Sequence, residues 1–281
     1  MNAPATNPPS APRPWTSRVR YPSLPLTVVC LLLAACFVGA EFAADPNAIN
    51  PGRSLQGPQR DAWFGTDQLG RDVFSRLLYG GRYTIAIAVG ATLLATLLGV
   101  IWGAAAAVND GLVDSLLMRL VDGFMAIPLL LFAMVFASAF GASAVSLLVI
   151  CGVVHAPPTA RLARIAFRTE LSADYALAAR AVGTSVPALA AREILPNAMP
   201  PIAVQATLVA ANTILIEATL SFLGLGVQPP DTTWGSLMLE GYRRINSSYW
   251  YIVIPGTFVF IAIWCLNSLG DRHSGRAVSV V

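Results

Sequence analysis

Apolar residues run along this chain in long uncharged blocks, not in the amphipathic stripes of a soluble helix. A helix of about 20 apolar residues crosses a bilayer, and the blocks are of that length. The first covers Leu24 to about Ala40, and the second covers Thr84 to Val108 without a charge. From Gly123 to Ala160 no residue carries a formal charge if His155 is neutral. That stretch is too long for one crossing and breaks near Gly141 and Ser143, which makes spans three and four. The fifth span starts after Pro196 and Pro200-Pro201 and reaches about Gly224; the sixth runs from Tyr251 to Leu269. Pro128, Pro157-Pro158 and Pro255 lie where they kink spans three, four and six. The pattern predicts an all-α polytopic membrane protein with six transmembrane helices. It divides into a disordered tail (1–22), a first transmembrane helix (23–44), an extracytoplasmic segment (45–82), a five-helix core (83–271) and a short tail (272–281).

Two stretches between blocks have patterns of their own. Thr66 or Asp67 is placed to cap a helix through about Leu78. Its apolar strip is Leu69, Val73 and Leu77, which predicts an amphipathic helix at the outer interface or against another subunit. The stretch 174–196 reads as two short, nearly uncharged helices. Asp174 caps the first, about 175–182, with Tyr175, Ala178, Ala179 and Val182 on one face. Gly183 suits its left-handed terminus. Ser185 starts the second, with Pro187 in its first turn, and Pro196 ends or kinks it. Only Arg180 is charged in the first helix, and so apolar a helix in an aqueous compartment needs a partner to cover it.

Composition agrees with a membrane protein. Of the 281 residues 56% are hydrophobic and 12% charged, about half the charge of a soluble domain. Sidedness follows arginine. Arg13, Arg18 and Arg20 precede the first block, Arg161, Arg164, Arg168, Arg180 and Arg192 lie between blocks four and five, and Arg272 and Arg276 follow the last. Between Glu41 and Arg82 five arginines are balanced by Glu41, Asp45, Asp61, Asp67 and Asp72. Both termini and the 161–196 loop are therefore expected in the cytoplasm, with the Arg161, Arg164 and Arg168 side chains snorkelling to lipid phosphate. Arg18, Arg20 and Leu33-Ala34-Ala35-Cys36 mimic a signal peptide with a cleavage box, a match that arises by chance in an Ala-rich run.

Candidate chemistry is sparse. All eighteen basic residues are arginine. Without lysine the chain has neither a Walker A lysine nor a Schiff-base lysine, so any ATP and Mg are bound and hydrolysed by another chain. Cys30, Cys36, Cys151 and Cys265 lie in apolar runs and lack metal-ligand spacing with His155 or His273. A net charge of +3 calls for no nucleic-acid partner. Glu217 is the carboxylate inside a block, a functional candidate or the partner of a neighbouring span. Gln205 and Asn212, seven apart on span five, fit either a polar pathway or hydrogen bonds to another subunit. Trp234 and Tyr249-Trp250-Tyr251 read as interfacial anchors.

Ala178-Ala179, Gly183 and Leu195-Pro196, between the fourth and fifth of six spans, resemble the EAA loop of permease subunits of binding-protein-dependent ABC importers. Trp63 to Arg76 (WFGTDQLGRDVFSR), Asp45 to Ile49, Leu195 to Ala198, Ser221 to Pro230 and Leu269 to Asp271 are similar to stretches of the C-type second permease of dipeptide, oligopeptide and nickel systems. The resemblance covers about 41–271. Two positions depart: Leu177 stands where the family has glutamate, and Glu193 where it has isoleucine. The resemblance implies a type I importer fold and a bacterial inner-membrane permease that pairs with a homologous permease. It implies two cytoplasmic ATPase subunits that grip the loop through Tyr175, Leu177, Ala178, Ala179, Val182, Gly183, Leu195 and Pro196. An extracytoplasmic binding protein would deliver the substrate, with peptides the default and nickel or another small solute the alternative. A secondary transporter and a non-transporting scaffold are the other classes. One intramembrane carboxylate is little for a proton relay, and no inverted repeat is evident.

Overall fold

In the computed structural model the described residues are 24–277, apart from 110 and 142, without the side chains of 273–277. The expected N-terminal tail with Arg13, Arg18 and Arg20, residues 278–281 and the side chains of His273 and Arg276 lie outside them, whereas 272–277 of the expected C-terminal tail continue the last helix. Among the described residues there is no strand, and the elements are helices. α1 covers Leu24–Phe37 and α2 Val73–Val108. α3 (Leu112–Ala126) and α4 (Leu129–Phe140) follow, then α5, Ala144–Leu171. The short helices are α6, Asp174–Ala181, and α7, Val186–Leu189. α8 covers Leu195–Phe222, α9 Trp234–Tyr242 and α10 Trp250–Ala277. Among the described residues five helices are long and apolar enough to cross a membrane, or six if the bent pair α3 and α4 is one span.

α2 and α5 form the spine. Ala91, Ala95, Gly99, Gly103 and Ala107 recur every fourth residue on α2 and are buried. Small residues at this spacing let two backbones approach. A Cβ on Gly99 would meet Thr159, and one on Gly103 would lie 2.4 Å from the Ala160 carbonyl. Gly90 faces Leu148 and Leu94 faces Gly152, so the two helices run parallel. Parallel second and fourth spans require the third to return between them, which is the course of α3 and α4.

Several expectations change at the helix ends. The amphipathic helix over 67–78 is not a separate element. Asp72, not Thr66 or Asp67, caps α2 by accepting from the Ser75 N–H at 2.8 Å, and the helix runs on through the boundary drawn at 82/83. Asp67 is buried and accepts the N–H groups of Leu69 and Arg71. The third span begins earlier than expected, with three charged residues in α3, and bends by 83° at Ile127-Pro128. Asp114 is in fact the buried partner of Arg164 and Arg168, and Asp122 pairs with Arg161. These arginines therefore hold α3 to α5 instead of reaching for lipid phosphate: Asp114 is a directional, partly desolvated partner for Arg164 and Arg168, and the Arg161–Asp122 pair is an exposed one.

Trp234 and Tyr251 are not interfacial anchors. Trp234 is fully buried and donates from Nε1 to the Leu77 carbonyl at 3.0 Å; Tyr251 is buried beneath α9. α9 folds back over α2, α8 and α10, which makes interior of positions that sequence places at the interface. Tyr249 does remain exposed.

Candidate functional site

The elbow between α5 and α8 starts from its two turns. Ala173 precedes α6 as its cap residue, and Asp174 is the first helical residue rather than the cap. At the other end Gly183 has φ +91°. The Thr184 N–H donates to the Ala179 carbonyl and the Gly183 N–H to the Arg180 carbonyl, both at 3.0 Å. That pair of bonds is a Schellman terminus, and it needs the glycine because other residues resist positive φ. Ser185 precedes α7, with Pro187 in its first turn. A wide π-helical turn over Ala190–Ile194 then leads into α8. Pro196 neither ends nor breaks this path: it sits in the first turn of α8, where its missing N–H costs little. Pro200 and Pro201 lie inside the same helix.

The elbow has a buried base and an open face. Ala176, Leu189 and Ile194 are fully buried and pack with Phe167, Leu171 and Ala198. Tyr175 staples the base. Its hydroxyl donates to Glu170 Oε2 at 2.6 Å and accepts from Asn197 Nδ2 at 3.2 Å. Partial burial and the bond to Glu170 push the phenol up from its usual range. The open face carries Leu177, 51% exposed, and Val182, 84% exposed, with Ala178 and Gly183 beside them. Ala179 and Leu195 are half-buried against the base and Pro196 is exposed. The expected apolar face of α6 is thus split. Ala176, not assigned to it, is the buried contact, Tyr175 reaches back to the base by its hydroxyl, and Val182 points away. Glu193 is exposed beside the buried Ile194, so its charge lies outside the apolar base.

The three polar candidates of span five separate. Glu217 is fully buried and lines no open surface. It accepts from Ser221 Oγ at 2.7 Å and Thr84 Oγ1 at 3.4 Å. Thr84 Oγ1 also accepts from the Trp234 N–H at 3.2 Å, so the carboxylate ties α2, α8 and α9 together. Gln205 is half-buried and Asn212 exposed.

Sequence reasoning missed a buried charged cluster at the outer end. Arg76 is 1% exposed and donates to Asp67 Oδ2 at 2.9 Å, to both Glu240 oxygens and to the Tyr251 hydroxyl. Arg71 pairs with Asp67 at 2.6 Å. Burial pushes the Glu240 carboxyl up, but the bonds and charge of Arg76 outweigh it and hold it below the usual range. Two arginines and two acids cancel, which lets the segment before α2 weld to α9 and α10. The visible signal was the i, i+4 pair Asp67 and Arg71; Glu240 is too far along the chain to be matched with it.

A spine of small residues, five or six crossings and an elbow open to one side describe a polytopic membrane protein, and comparison with known proteins shows its family. Residues 76–277 match the model of the family described as "Binding-protein-dependent transport system inner membrane component". The chain belongs to this family. This permease is 34% identical over 249 residues to the di/tripeptide transport system permease protein DppC of Pseudomonas aeruginosa, covering 86% of this chain and 82% of that one. It is 32% identical over 246 residues to the dipeptide transport system permease protein DppC of Alkalihalophilus pseudofirmus, covering 88% and 81%. Its fold is similar to a chain of the MetNI methionine ABC transporter in an inward-facing conformation. The TM-score is 0.57 at 19% identity, over 69% of this chain and 92% of that one. The permease is thus an integral membrane component of an ABC importer and not itself the catalytic subunit, within the type I importer fold.

Proposed function

We propose that the permease carries di- or oligopeptides across the bacterial inner membrane, paired with a homologous second permease. Two cytoplasmic ATPase subunits, which bind the ATP and Mg, grip the elbow of each permease, and an extracytoplasmic binding protein delivers the peptide. The termini and the elbow lie in the cytoplasm. The observation that carries the reading is the open apolar face of Leu177, Ala178 and Val182 on a buried base between α5 and α8. Exposed apolar surface held in a fixed shape marks a docking site, and a base packed against two spans passes a push on the elbow into the membrane. The relatives named for peptide transport support the substrate.

The experiment uses the assembled importer. Val182→Arg buries a charge if a partner covers that face, and Gly183→Trp fills the turn. Both variants should insert normally, lose the ATPase subunits on copurification and lose dipeptide uptake. Normal copurification and uptake in both would sink the elbow model.

A further inference from the structure

Between α1, α2, α8 and α10 lies a crevice of about 120 Å³ lined by apolar side chains. Ala88, Ile214, Trp234 and Ala262 form its buried floor, and the exposed Leu33 on α1 and Val89 on α2 stand at its mouth. The Trp234 indole N–H already donates to the Leu77 carbonyl, so the lining offers water no free side-chain group. A buried water needs about 2–4 polar partners, whereas apolar cavities of about 150 Å³ stay dry and take up hydrocarbon. A helix with its side chains is about 10–12 Å across, too wide for this space. A single hydrocarbon chain fits it, and acyl chain is the solvent around membrane spans.

An ion pair is held above this crevice. No charge follows Arg82 on α2 before Val108, so its guanidinium marks the headgroup level. At about 1.5 Å per residue, Ile85 in the crevice wall lies about 5 Å below Arg82 and Val89 about 10 Å below it. Arg82 Nε donates to the Cys36 carbonyl at 2.8 Å, and Nη2 donates to the Phe37 carbonyl at 2.9 Å and to Glu41. Its Cζ lies 4.8 Å from the centre of the Tyr79 ring. The guanidinium is thus fixed over the end of α1, and Nη1 has no acceptor among the described residues. The Glu41 side chain beside it is 66% exposed.

We propose that the crevice holds one acyl chain of a zwitterionic aminophospholipid of the outer leaflet, with the lipid phosphate on Arg82 Nη1 and its ammonium on Glu41. Both contacts are charge-assisted hydrogen bonds, which are directional as well as strong. A headgroup with a phosphate and an ammonium matches the two protein charges. An anionic headgroup would set its phosphate beside Glu41 and give that carboxylate no cation. The leaflet follows from the reading that puts the elbow in the cytoplasm; the site itself does not depend on the transported solute.

The test is lipid retention. The assembled importer is purified in detergent from membranes of phosphatidylethanolamine and phosphatidylglycerol, and the lipid it keeps is identified by mass spectrometry. Phosphatidylethanolamine should be enriched over phosphatidylglycerol about tenfold relative to the membrane. Ala88→Leu fills the floor of the crevice and should lose the enriched lipid. Glu41→Gln, at an exposed position, removes the partner of the ammonium and should abolish the enrichment. Retention equal to the parent in Ala88→Leu, or an unchanged headgroup ratio in Glu41→Gln, overturns the proposal. Glu41→Gln keeps the test decisive where Ala88→Leu fails to assemble. Cys30 is the exposed cysteine among the described residues. In a Cys30→Ala background, a short crosslink from Val89→Cys to the second permease places protein at the mouth and overturns the proposal too. Dipeptide uptake by the parent is read separately: its loss counts against the peptide reading alone, and absence of the enriched lipid counts against the lipid site alone.

Discussion

Gly103→Ala and Gly123→Ala make the same chemical change in two helices and should act in opposite directions. At Gly103 the new methyl group would lie 2.4 Å from the Ala160 carbonyl oxygen, 2.7 Å from Ala163 Cβ and 2.8 Å from the Arg164 nitrogen. Two of these atoms are main chain, so no side chain can rotate aside and α2 must move off α5. Overpacking of this kind costs about 1–3 kcal/mol. Alanine returns about 1 kcal/mol through helix propensity. Because the seam is close-packed along most of α2, the upper part of the range applies, and the net loss is about 2 kcal/mol. At Gly123 nothing lies within 4 Å of the added Cβ, so only the propensity gain of about 1 kcal/mol remains. For a chain of this size 1 kcal/mol moves a melting midpoint by about 2–4 °C. Thermal unfolding of the detergent-solubilised importer, followed by size-exclusion chromatography with fluorescence detection, should show a midpoint about 4–8 °C lower for Gly103→Ala. Gly123→Ala should match or exceed the parent. A Gly103→Ala protein that melts at or above the parent would refute the close-packed seam.

Arg76→Met leaves Glu240 without its main counter-charge in a buried site and should cost about 3–5 kcal/mol. Adding Glu240→Gln should restore part of that loss, and a double variant no more stable than the single one would contradict the cluster as drawn. Trp234→Ala should cost about 3–5 kcal/mol as a buried large-to-small change, whereas an interfacial anchor would show a far smaller shift in the same melt. The depressed Glu240 carboxyl sets the sign of an acid effect. Its contribution is fully present above the unfolded glutamate value of about 4.3 and is lost as pH falls through the lower folded value. Melting midpoints taken downward from pH 6 should fall on the acid side, and Glu240→Gln should flatten that slope; an unchanged slope argues against the cause.

Much of this protein was legible from its sequence because a bilayer imposes a simple rule. A span must satisfy its main chain internally and be apolar over a fixed length, so runs of uncharged residues located the crossings. Local chemistry fixed the elbow equally well: a residue that tolerates φ +91° was needed at 183, and glycine stands there. The four-residue spacing of small residues from Ala91 to Ala107 stands in the sequence, but only the packing of α2 on α5 shows that it is a seam.

What only the tertiary structure decided are pairings between residues far apart in the chain. Arg76 meets Glu240, Arg164 meets Asp114, and Trp234 reaches the Leu77 carbonyl. Each depends on how helices cross, and hydropathy is silent about that. A charged or aromatic residue near the end of a block looks the same whether it faces headgroups or a neighbouring helix. The fold-back of α9 chose the second for Trp234 and Tyr251. The 83° bend at Pro128 is a similar case: proline announces that a helix is weakened, but the packing of α4 on α5 sets how far it turns.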